Sequence, residues 1–325
     1  MLKELTIREN DAGQRLDRFL GKALPRMTQP VIQKAIRQNN LKVNRKKPKG
    51  DQRLLPGDLV QIYLPDQWLE PPVRGEGTRA FLNLGETSLP IVYEDKHLLI
   101  VDKPPGIPVQ PDKTETAHTL INYIKAYLYQ TNAWDPQREQ AFAPALCHRI
   151  DRNTGGLVIA AKTAEALRVM NQKIKDREIG KYYLCVVYGQ MSPRQGTLTG
   201  YLKKDPQKNR VTVFSNKIPG GLFAQTEYET LEEKDGLSLL RCRLITGRTH
   251  QIRAQFAAAG HPLLGDGKYG SEKENRKRRQ KRQALYAVRL VFSFETPAGC
   301  LEPLNGTVFS GDETGFLKQF FTHHA

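Results

Sequence analysis

The sequence predicts an α+β protein with a mixed, mainly antiparallel sheet, flanking helices and loops, and a small N-terminal α+β domain. Apolar runs typical of buried strands follow one another without an intervening helix, as in "TEYETL" (226–231) and "LSLLRCRLI" (237–245). A doubly wound parallel sheet would instead need regular alternation of strands and helices. The chain has 325 residues, more than one average domain requires. We therefore expect a small module followed by a larger domain.

The first 65 residues predict a module of two helices and a short sheet. Apolar side chains recur with helical spacing from Leu16 to Ala23. Thr28 is a candidate N-cap for a second helix, because its hydroxyl can accept a hydrogen bond from the first turn. Two later segments, 41–44 and 58–64, alternate between apolar and polar residues as strands do. The module is therefore expected to be α+β on its own.

Residues 66–88 predict a linker, because prolines and charges replace apolar periodicity there. The larger domain is then expected to span residues 89–325. Its other strands are predicted at 91–93, 98–101, 156–162 and 181–189. Its helices are predicted at 116–129, from a cap at Thr163 to a stop at Gly180, and from Thr249 to Gly260.

The net positive charge of the chain predicts a polyanionic partner. The chain carries 50 Lys and Arg against 34 Asp and Glu, a formal net charge of +16. Two basic runs, "RKKPK" (45–49) and "RKRRQKR" (276–282), are candidate phosphate contacts, with a solvated loop as the less favoured alternative for each. Nucleic acid and an anionic membrane both fit the charge. Because no apolar run is long enough for a membrane span or signal peptide, we expect a cytoplasmic protein without a membrane partner.

The stretch "PALCHRIDRNTGGLVIAAKT" (144–163) places a carboxylate, Asp151, between Arg149 and Arg152. A Gly-Gly turn and an apolar run typical of a buried strand follow it. Nearby cations favour the ionised form of a carboxylate. Asp151 is therefore a candidate nucleophile or base.

A second cluster, "TGRTHQIR" (246–253), contains Arg248, His250 and Arg253. Arg253 could pair with Asp151, and on these residues alone the pair could be either a reactive site or a structural salt bridge. A zinc site at the histidines is disfavoured, because their spacing matches no common ligand pattern and the four cysteines form no CxxC pair. A serine hydrolase is disfavoured by the lack of a GxSxG elbow. We expect no metal.

"HRIDRNTGG" (148–156) resembles the HRLDxxTSG signature of the RluA-type pseudouridine synthases. Three further segments agree with that family in order and spacing: "YEDKHLLIVDKPPGIPV", "KYYLCVVYG" and "LITGRTHQIRAQFAAAGHPLLGDGKYG". The resemblance covers roughly residues 90–293. It implies an isomerase that converts uridine to pseudouridine in RNA without a cofactor, since no atom is gained or lost.

The same resemblance implies roles for individual residues. Asp151 would attack the ribose or the base, and Arg253 would pair with it. Tyr183, in the KxY pattern that starts at Lys181, would lie against the extruded uracil and could assist the final deprotonation. Arg149 would fill the space that the base leaves. Further RNA contacts are expected in the same loops and in the second basic run: Arg152, Arg248, His250, Arg278 and Arg279.

The small module resembles the RNA-binding domain first seen in the fourth small-subunit ribosomal protein, through "RLD" (15–17), "KVN" (42–44) and "PGD" (56–58). That resemblance implies an RNA-facing surface formed by basic residues of both helices and the first predicted strand: Arg15, Arg18, Lys34, Arg37 and Lys42. Because such a domain accompanies many synthases of large-subunit ribosomal RNA, this RNA is the expected substrate. Transfer RNA, or an inactive assembly factor, is the alternative. We expect a monomer.

Four positions depart from the family pattern. Gly155 stands where the family usually has serine, Ile150 where leucine is common, and Gln255 and Tyr286 where histidines often occur. None removes a proposed catalytic group, so we expect substrate choice to be affected more than reaction type.

Overall fold

The computed structural model describes residues 2–69, 80–85 and 88–320. An eleven-stranded, mostly antiparallel sheet with helices on both faces forms the larger part, and a three-stranded sheet with two helices forms the N-terminal part. The predicted α+β class is confirmed. No helix in these ranges is long and apolar enough to cross a membrane.

The N-terminal module contains helices α1 (Leu16–Ala23) and α2 (Gln29–Arg37) and strands β1 (Leu2–Thr6), β2 (Leu41–Val43) and β3 (Leu59–Tyr63). The central strand β3 pairs antiparallel with both others. Sequence reasoning missed β1, because its exposed and half-buried residues alternate without an apolar run. A separate apolar cluster, centred on Phe19, Ile32 and Ile62, fills this module.

The remaining elements follow in chain order. The strands are β4 (Ile91–Glu94), β5 (Leu98–Lys103), β6 (Ala145–Leu146), β7 (Gly155–Ala161), β8 (Ile179–Tyr188), β9 (Gln195–Asp205), β10 (Arg210–Phe214), β11 (Leu222–Lys234), β12 (Leu237–Leu244), β13 (Leu285–Phe292) and β14 (Val308–Ser310). The helices are α3 (Asp66–Leu69), α4 (Leu120–Gln130), α5 (Ala164–Lys175), α6 (Gln251–Ala258), α7 (Glu272–Lys277) and α8 (Glu313–Phe320).

Strand β7 lies inside the large sheet, and all of its residues are buried. Successive side chains of a strand point to opposite faces. Val158 therefore packs in the cluster that includes α4 and α6, whereas Ile159 packs in the cluster that includes α5. Burial on both faces explains why this strand has no polar alternation.

Two predicted helix ends are wrong. Helix α5 begins after Thr163, whose side chain caps it as expected, but it ends at Lys175. Arg177 adopts a left-handed conformation with φ 65°, and Gly180 lies inside β8 rather than at a helix stop. Helix α4 begins at Leu120, because residues 112–119 form turns that hydrogen bond to Asp112 and Glu115.

The predicted linker lies partly outside the described residues, at 70–79 and 86–87. Its described ends pack on different cores, since Leu69 belongs to the cluster of the N-terminal module and Phe81 to that of the large sheet. The N-terminal module also contacts the large domain directly. Arg168 of α5 donates a hydrogen bond to the carbonyl of Ala12 at 2.7 Å.

Candidate active site

The loop before β7 holds Asp151, and close backbone packing fixes its position. Gly156 has φ +107°, and a Cβ atom there would collide with the backbone of Ala287 on the adjacent parallel strand β13. Only glycine fits this approach. On the other side of Asp151, the His148 ring accepts a hydrogen bond at Nε2 from the Ile159 N–H at 3.1 Å. Burial, together with nearby Lys181, lowers the pKa of His148 to about 3, so the ring stays neutral and can accept.

Arg253 lies between two carboxylates. Its Nη1 donates to Asp151 Oδ2 at 2.7 Å, which confirms the pairing that the sequence suggested. Its Nε and Nη2 donate to the two oxygens of Asp266 at 2.7 and 2.9 Å. This second, bidentate pair fixes the plane of the guanidinium group. The side chain of Asp151 is 22% exposed and so remains open to a substrate.

Sequence reasoning missed Asp266, although it lies in the matched segment "GDGKYG". The carboxylate is buried, which by itself raises its pKa, but Arg253 and the backbone N–H groups of Lys268 and Tyr269 outweigh burial and lower it. A buried aspartate held ionised requires such partners. The signal available in the sequence was an acidic residue next to glycine and apolar residues.

Tyr183 lies on β8 and lines the same cleft as Asp151 and Arg253. Burial and the charge of Asp151 raise the pKa of its phenol well above the ordinary value. The phenol is therefore protonated at neutral pH and presents an apolar ring to the cleft. The structure thus brings together the three residues that were predicted to be catalytic.

His250 also faces Asp151, from the residue that precedes α6. It adopts a left-handed conformation with φ 53°. Its Nδ1 lies 2.9 Å from the Tyr269 hydroxyl, and its Nε2 lies 4.0 Å from Asp151 Oδ2. Burial lowers the pKa of His250 to about 4 despite the opposing effect of Asp151. The ring is therefore neutral at pH 7, so Arg253 rather than His250 supplies the positive charge beside the carboxylate.

The cleft around these residues has a volume of about 570 Å³. Asp151 is the one carboxylate among the described residues that line it. Seven lining residues are basic: Arg149, Lys175, Arg177, Lys181, Arg243, Arg248 and Arg253. A cleft with this charge balance favours a polyanionic ligand.

The structure corrects the predicted environment of Asp151. Arg152 points away from it and donates to Asp112 and to Thr114, each at 2.7 Å. The flanking arginines therefore do not both face the carboxylate. Arg149 is exposed and lines the cleft, and Arg248 lines it while its Nε donates to the carbonyl of Phe223 at 3.1 Å.

A buried lysine that sequence reasoning did not single out supports the same loop. Lys103 donates to the carbonyls of Pro104 at 2.9 Å and Arg152 at 3.0 Å. Burial lowers the pKa of Lys103 to about 7, although the charge of Asp151 opposes this shift. Its amine therefore ties the loop after β5 to the loop that carries Asp151. No group of three His, Cys, Asp or Glu side chains in the described ranges could hold a metal ion.

The predicted RNA contacts outside the cleft lie on exposed surfaces, but some are engaged within the chain. Arg15 pairs with Asp17 at 2.7 Å, and the amine of Lys42 lies 5.4 Å from the centre of the Tyr63 ring. Arg278 donates to the carbonyl of Asp235. The others are exposed without a described partner: Arg18, Lys34, Arg37 and Arg279.

Comparison with known proteins identifies the family. A family model described as RNA pseudouridylate synthase matches residues 97–258. An uncharacterized RNA pseudouridine synthase of Mycoplasma genitalium is 37% identical over 286 residues, which are 86% of each chain. The chain belongs to the RNA pseudouridylate synthase family. As a pseudouridine synthase, it is an isomerase with an RNA substrate.

Two further relatives of this pseudouridine synthase carry more specific names. Ribosomal large subunit pseudouridine synthase D of Nitrosomonas europaea is 31% identical over 293 residues, covering 88% of this chain and 79% of that protein. Ribosomal large subunit pseudouridine synthase C of Vibrio parahaemolyticus is 32% identical over 268 residues, covering 82% and 80%.

Solved structures share the fold of this pseudouridine synthase. Human RNA pseudouridylate synthase domain containing 4 aligns with a TM-score of 0.55 and 18% identity, covering 75% of this chain and 96% of that one. Human RNA pseudouridylate synthase domain containing 1 aligns with a TM-score of 0.52 and 22% identity, covering 71% and 94%.

Proposed function

We propose that this enzyme isomerises specific uridines in large-subunit (23S) ribosomal RNA, with Asp151 as the group that attacks the ribose or the base. The observation that carries the catalytic assignment is the hydrogen bond between Arg253 and the partly open carboxylate of Asp151. The names of the two relatives at 31% and 32% identity support the choice of RNA. The proposal includes action as a cytoplasmic monomer.

The reaction rearranges one nucleoside. The bond from ribose carbon to ring nitrogen breaks, the freed uracil turns, and ring carbon five bonds to the same ribose carbon. The carbon-five proton is then lost and a ring nitrogen gains one, so atoms and electrons balance without a cofactor. In one route Asp151 bonds to the electron-poor ribose carbon, and that bond breaks when carbon five attacks. In the other, Asp151 takes the ribose proton that elimination releases and returns it when carbon five bonds. Arg253 pairs with the carboxylate and orients it for either role.

Tyr183 acts on the base in this proposal. Its protonated, largely buried phenol supports the uracil ring by stacking. The ring is close enough to Asp151 for the charge of that carboxylate to raise the pKa of the phenol. Arg149, which is exposed at the mouth of the cleft, enters the stack when the base leaves it. Extrusion costs a few kcal/mol, which such an insertion partly offsets.

RNA affinity is proposed to come from basic side chains over a wide surface. Within the cleft Arg248 supplies positive charge, and the neutral ring of His250 supplies a polar contact. Arg152, which is exposed and pairs with Asp112, contributes from outside the cleft. Outside it, the basic run contributes Arg278 and Arg279, and the N-terminal module contributes the exposed residues Arg18, Lys34 and Arg37 together with Arg15 and Lys42. Phosphate contacts of this kind give affinity that is largely independent of sequence.

The test is a map of pseudouridine in total ribosomal and transfer RNA from cells with and without the gene. We expect one or a few sites in 23S RNA to disappear on deletion and to return with the wild-type gene but not with Asp151→Asn. Loss of sites only in transfer RNA would overturn the proposed substrate. Return of the sites with Asp151→Asn would overturn the proposed role of Asp151.

A further inference from the structure

The cleft is also lined by basic residues that the proposed chemistry does not use. Lys181 lies two residues before Tyr183 on β8, so both side chains leave the strand on the same face. Lys175 at the end of α5, Arg177 just after that helix and Arg243 near the end of β12 also line the cleft. The backbone of Arg177 is in the left-handed conformation, with φ 65°.

Lys181 differs from the two fully buried lysines of the described residues, Lys103 and Lys173. Lys173 is fully buried but pairs with Glu178 at 2.6 Å and donates to Thr296. Lys103 donates to two carbonyls. Among the described residues, no hydrogen bond or ion pair reaches the amine of Lys181. The two fully buried lysines therefore have partners within the chain, whereas the amine of Lys181, which lines the cleft, has none in the described ranges.

Gly247 leaves space beside the amine of Lys181 that a side chain would fill. A methyl group at that position would approach the amine to 3.3 Å. Burial lowers the pKa of Lys181 without an acidic neighbour to offset the effect. A cation removed from water without a partner costs free energy, and an anionic ligand would recover that cost.

We propose that Lys181 binds a backbone phosphate that flanks the extruded uridine. The inference rests on the proposed function, since it takes the base to lie against Tyr183. Two residues along a strand span roughly 7 Å. That span is comparable to the distance between a pyrimidine ring and the phosphate of its own nucleotide. One strand thus holds the base and the phosphate, and the ribose between them faces Asp151.

Lys181 is a positioning residue in this account. Its contact with the phosphate fixes the ribose relative to Asp151 and does not take part in proton transfer. Arginine should therefore replace lysine with little loss, because it too is a cation that binds phosphate. Methionine, which has similar length without charge, should not.

The first test uses small probes and needs no knowledge of the target RNA. Binding of uridine 5′-monophosphate and of uridine is measured by titration calorimetry for the wild type, Lys181→Met and Lys181→Arg. We expect the wild type and Lys181→Arg to prefer the monophosphate by about tenfold or more, and Lys181→Met to lose that preference. Equal preference in wild type and Lys181→Met would overturn the proposal, whether or not the enzyme modifies ribosomal RNA.

The second test measures single-turnover conversion of an RNA fragment that carries the mapped target uridine, with neutral methylphosphonate placed at one flanking linkage at a time. At one linkage, the substitution should slow the wild type about tenfold to a hundredfold and leave Lys181→Met unaffected. If no linkage gives this pattern while the wild type is active, the role of Lys181 is wrong and the proposed function stands. No conversion by the wild type would count against the proposed function itself.

Two controls separate binding from folding. Lys234→Met removes an exposed lysine of β11 far from the cleft, and we expect it to behave as wild type in both tests. The melting temperature of Lys181→Met should equal or exceed that of the wild type, because an unpaired, partly buried charge is removed. A marked fall in melting temperature would indicate a structural role and contradict the proposal.

Discussion

At the scale of single residues, the site depends on one arginine, Arg253, that pairs more fully with one carboxylate than with the other. Asp266 is buried and takes two hydrogen bonds from Arg253, whereas Asp151 takes one and keeps part of its surface open. The inner carboxylate therefore orients the arginine, and the outer carboxylate is available to a substrate. This division explains how one arginine can pair with a reactive aspartate without covering it.

We predict that Asp266→Asn lowers the single-turnover rate about a hundredfold with little change in RNA affinity, because Arg253 then loses the partner that fixes its plane. The measurement is conversion at saturating enzyme together with filter binding. Asp112→Asn is the matched control, since it removes an exposed partner of Arg152 at the same 2.7 Å distance. A pair at the surface contributes about 0–1 kcal/mol, so the control should convert RNA at the wild-type rate. Equal rates for Asp266→Asn and the control would refute the orienting role.

The lowered pKa of His148 predicts that the folded protein loses stability in acid. The pKa of His148 is about 3 in the folded protein, below its ordinary value of 6.5, so the unfolded chain takes up a proton in this pH window and the folded chain does not. Stability is therefore retained above pH 6.5 and lost as pH falls toward 3. We predict a loss of about 1–2 kcal/mol from this residue between pH 7 and pH 5.

This acid sensitivity is measured by urea unfolding of wild type and His148→Gln at both pH values. Glutamine can still accept from the Ile159 N–H but does not titrate, so the variant should lose less stability on acidification. His118→Gln, at an exposed histidine, should keep the wild-type pH dependence. An unchanged pH dependence in His148→Gln would mean that His148 is charged or exposed in the folded protein.

At the scale of elements, β7 and β13 explain two of the four departures from the family pattern, those at Gly155 and Tyr286. Tyr286 pairs directly with Gly155 across the two strands, and a Cβ atom on Gly155 would lie 2.9 Å from the Tyr286 ring. The ring thus occupies the space that a serine side chain needs. The tyrosine also donates to Asp102 and stacks on Phe316 of α8. Glycine and tyrosine are therefore complementary here, and the ring rather than a side chain at 155 supports the turn after Asp151.

We predict that Gly155→Ser costs about 1–3 kcal/mol in the wild type, because the added atoms overpack against Tyr286. In a Tyr286→His background the cost should be smaller, so a double-mutant cycle by chemical unfolding should give a favourable coupling of about 1 kcal/mol or more. Additive effects of the two substitutions would show that the positions are independent.

The second basic run occupies the end of α7 and the following turn. Arg278 and Arg282 donate to backbone carbonyls of other segments, whereas Arg276, Arg279 and Lys281 are exposed without a described partner. We predict that replacing these three by alanine weakens RNA binding and reduces the slope of log affinity against log salt by up to about 0.7 per lost contact. Replacement of Lys96, Lys234 and Lys318 is the control with equal charge loss. Identical slopes for the two triple variants would mean that the run is only a solvated surface.

At the scale of the whole molecule, local sequence patterns predicted individual helices and strands, whereas the pairing of distant strands could not be predicted. Helices α1 and α2 follow from apolar spacing and proline position, and β7 follows from its unbroken apolar run. The parallel pairing of β13 with β7 could not be read from the sequence, because it joins segments about 130 residues apart. Helix α5 ends early because Arg177, not a glycine, takes the left-handed conformation.

The candidate site, too, was predicted only where its residues lie in recognisable sequence motifs. The pairing of Asp151 with Arg253 was predicted because both lie in recognisable motifs, although 102 residues separate them. Sequence neighbours were a poor guide, since Arg152 turns to Asp112 in another loop. Asp266, Lys103 and the unpaired state of Lys181 depend on burial, which no local pattern encodes.

The distribution of charge over the molecule indicates that RNA affinity and catalysis depend on different residues. Basic residues lie in the cleft, in the second basic run and on the N-terminal module, whereas Asp151 is one acidic group among them. Removing its charge should therefore leave RNA binding nearly intact, since phosphate contacts elsewhere supply most of the affinity.

The most direct measurement compares Asp151→Asn with Asp176→Asn, an exposed aspartate after α5, for pseudouridine formation and affinity on the same RNA. We predict no measurable conversion by Asp151→Asn, dissociation constants of both variants within about twofold of the wild type, and full conversion by Asp176→Asn. Conversion by Asp151→Asn at the wild-type rate would contradict the assignment of this carboxylate to the reaction.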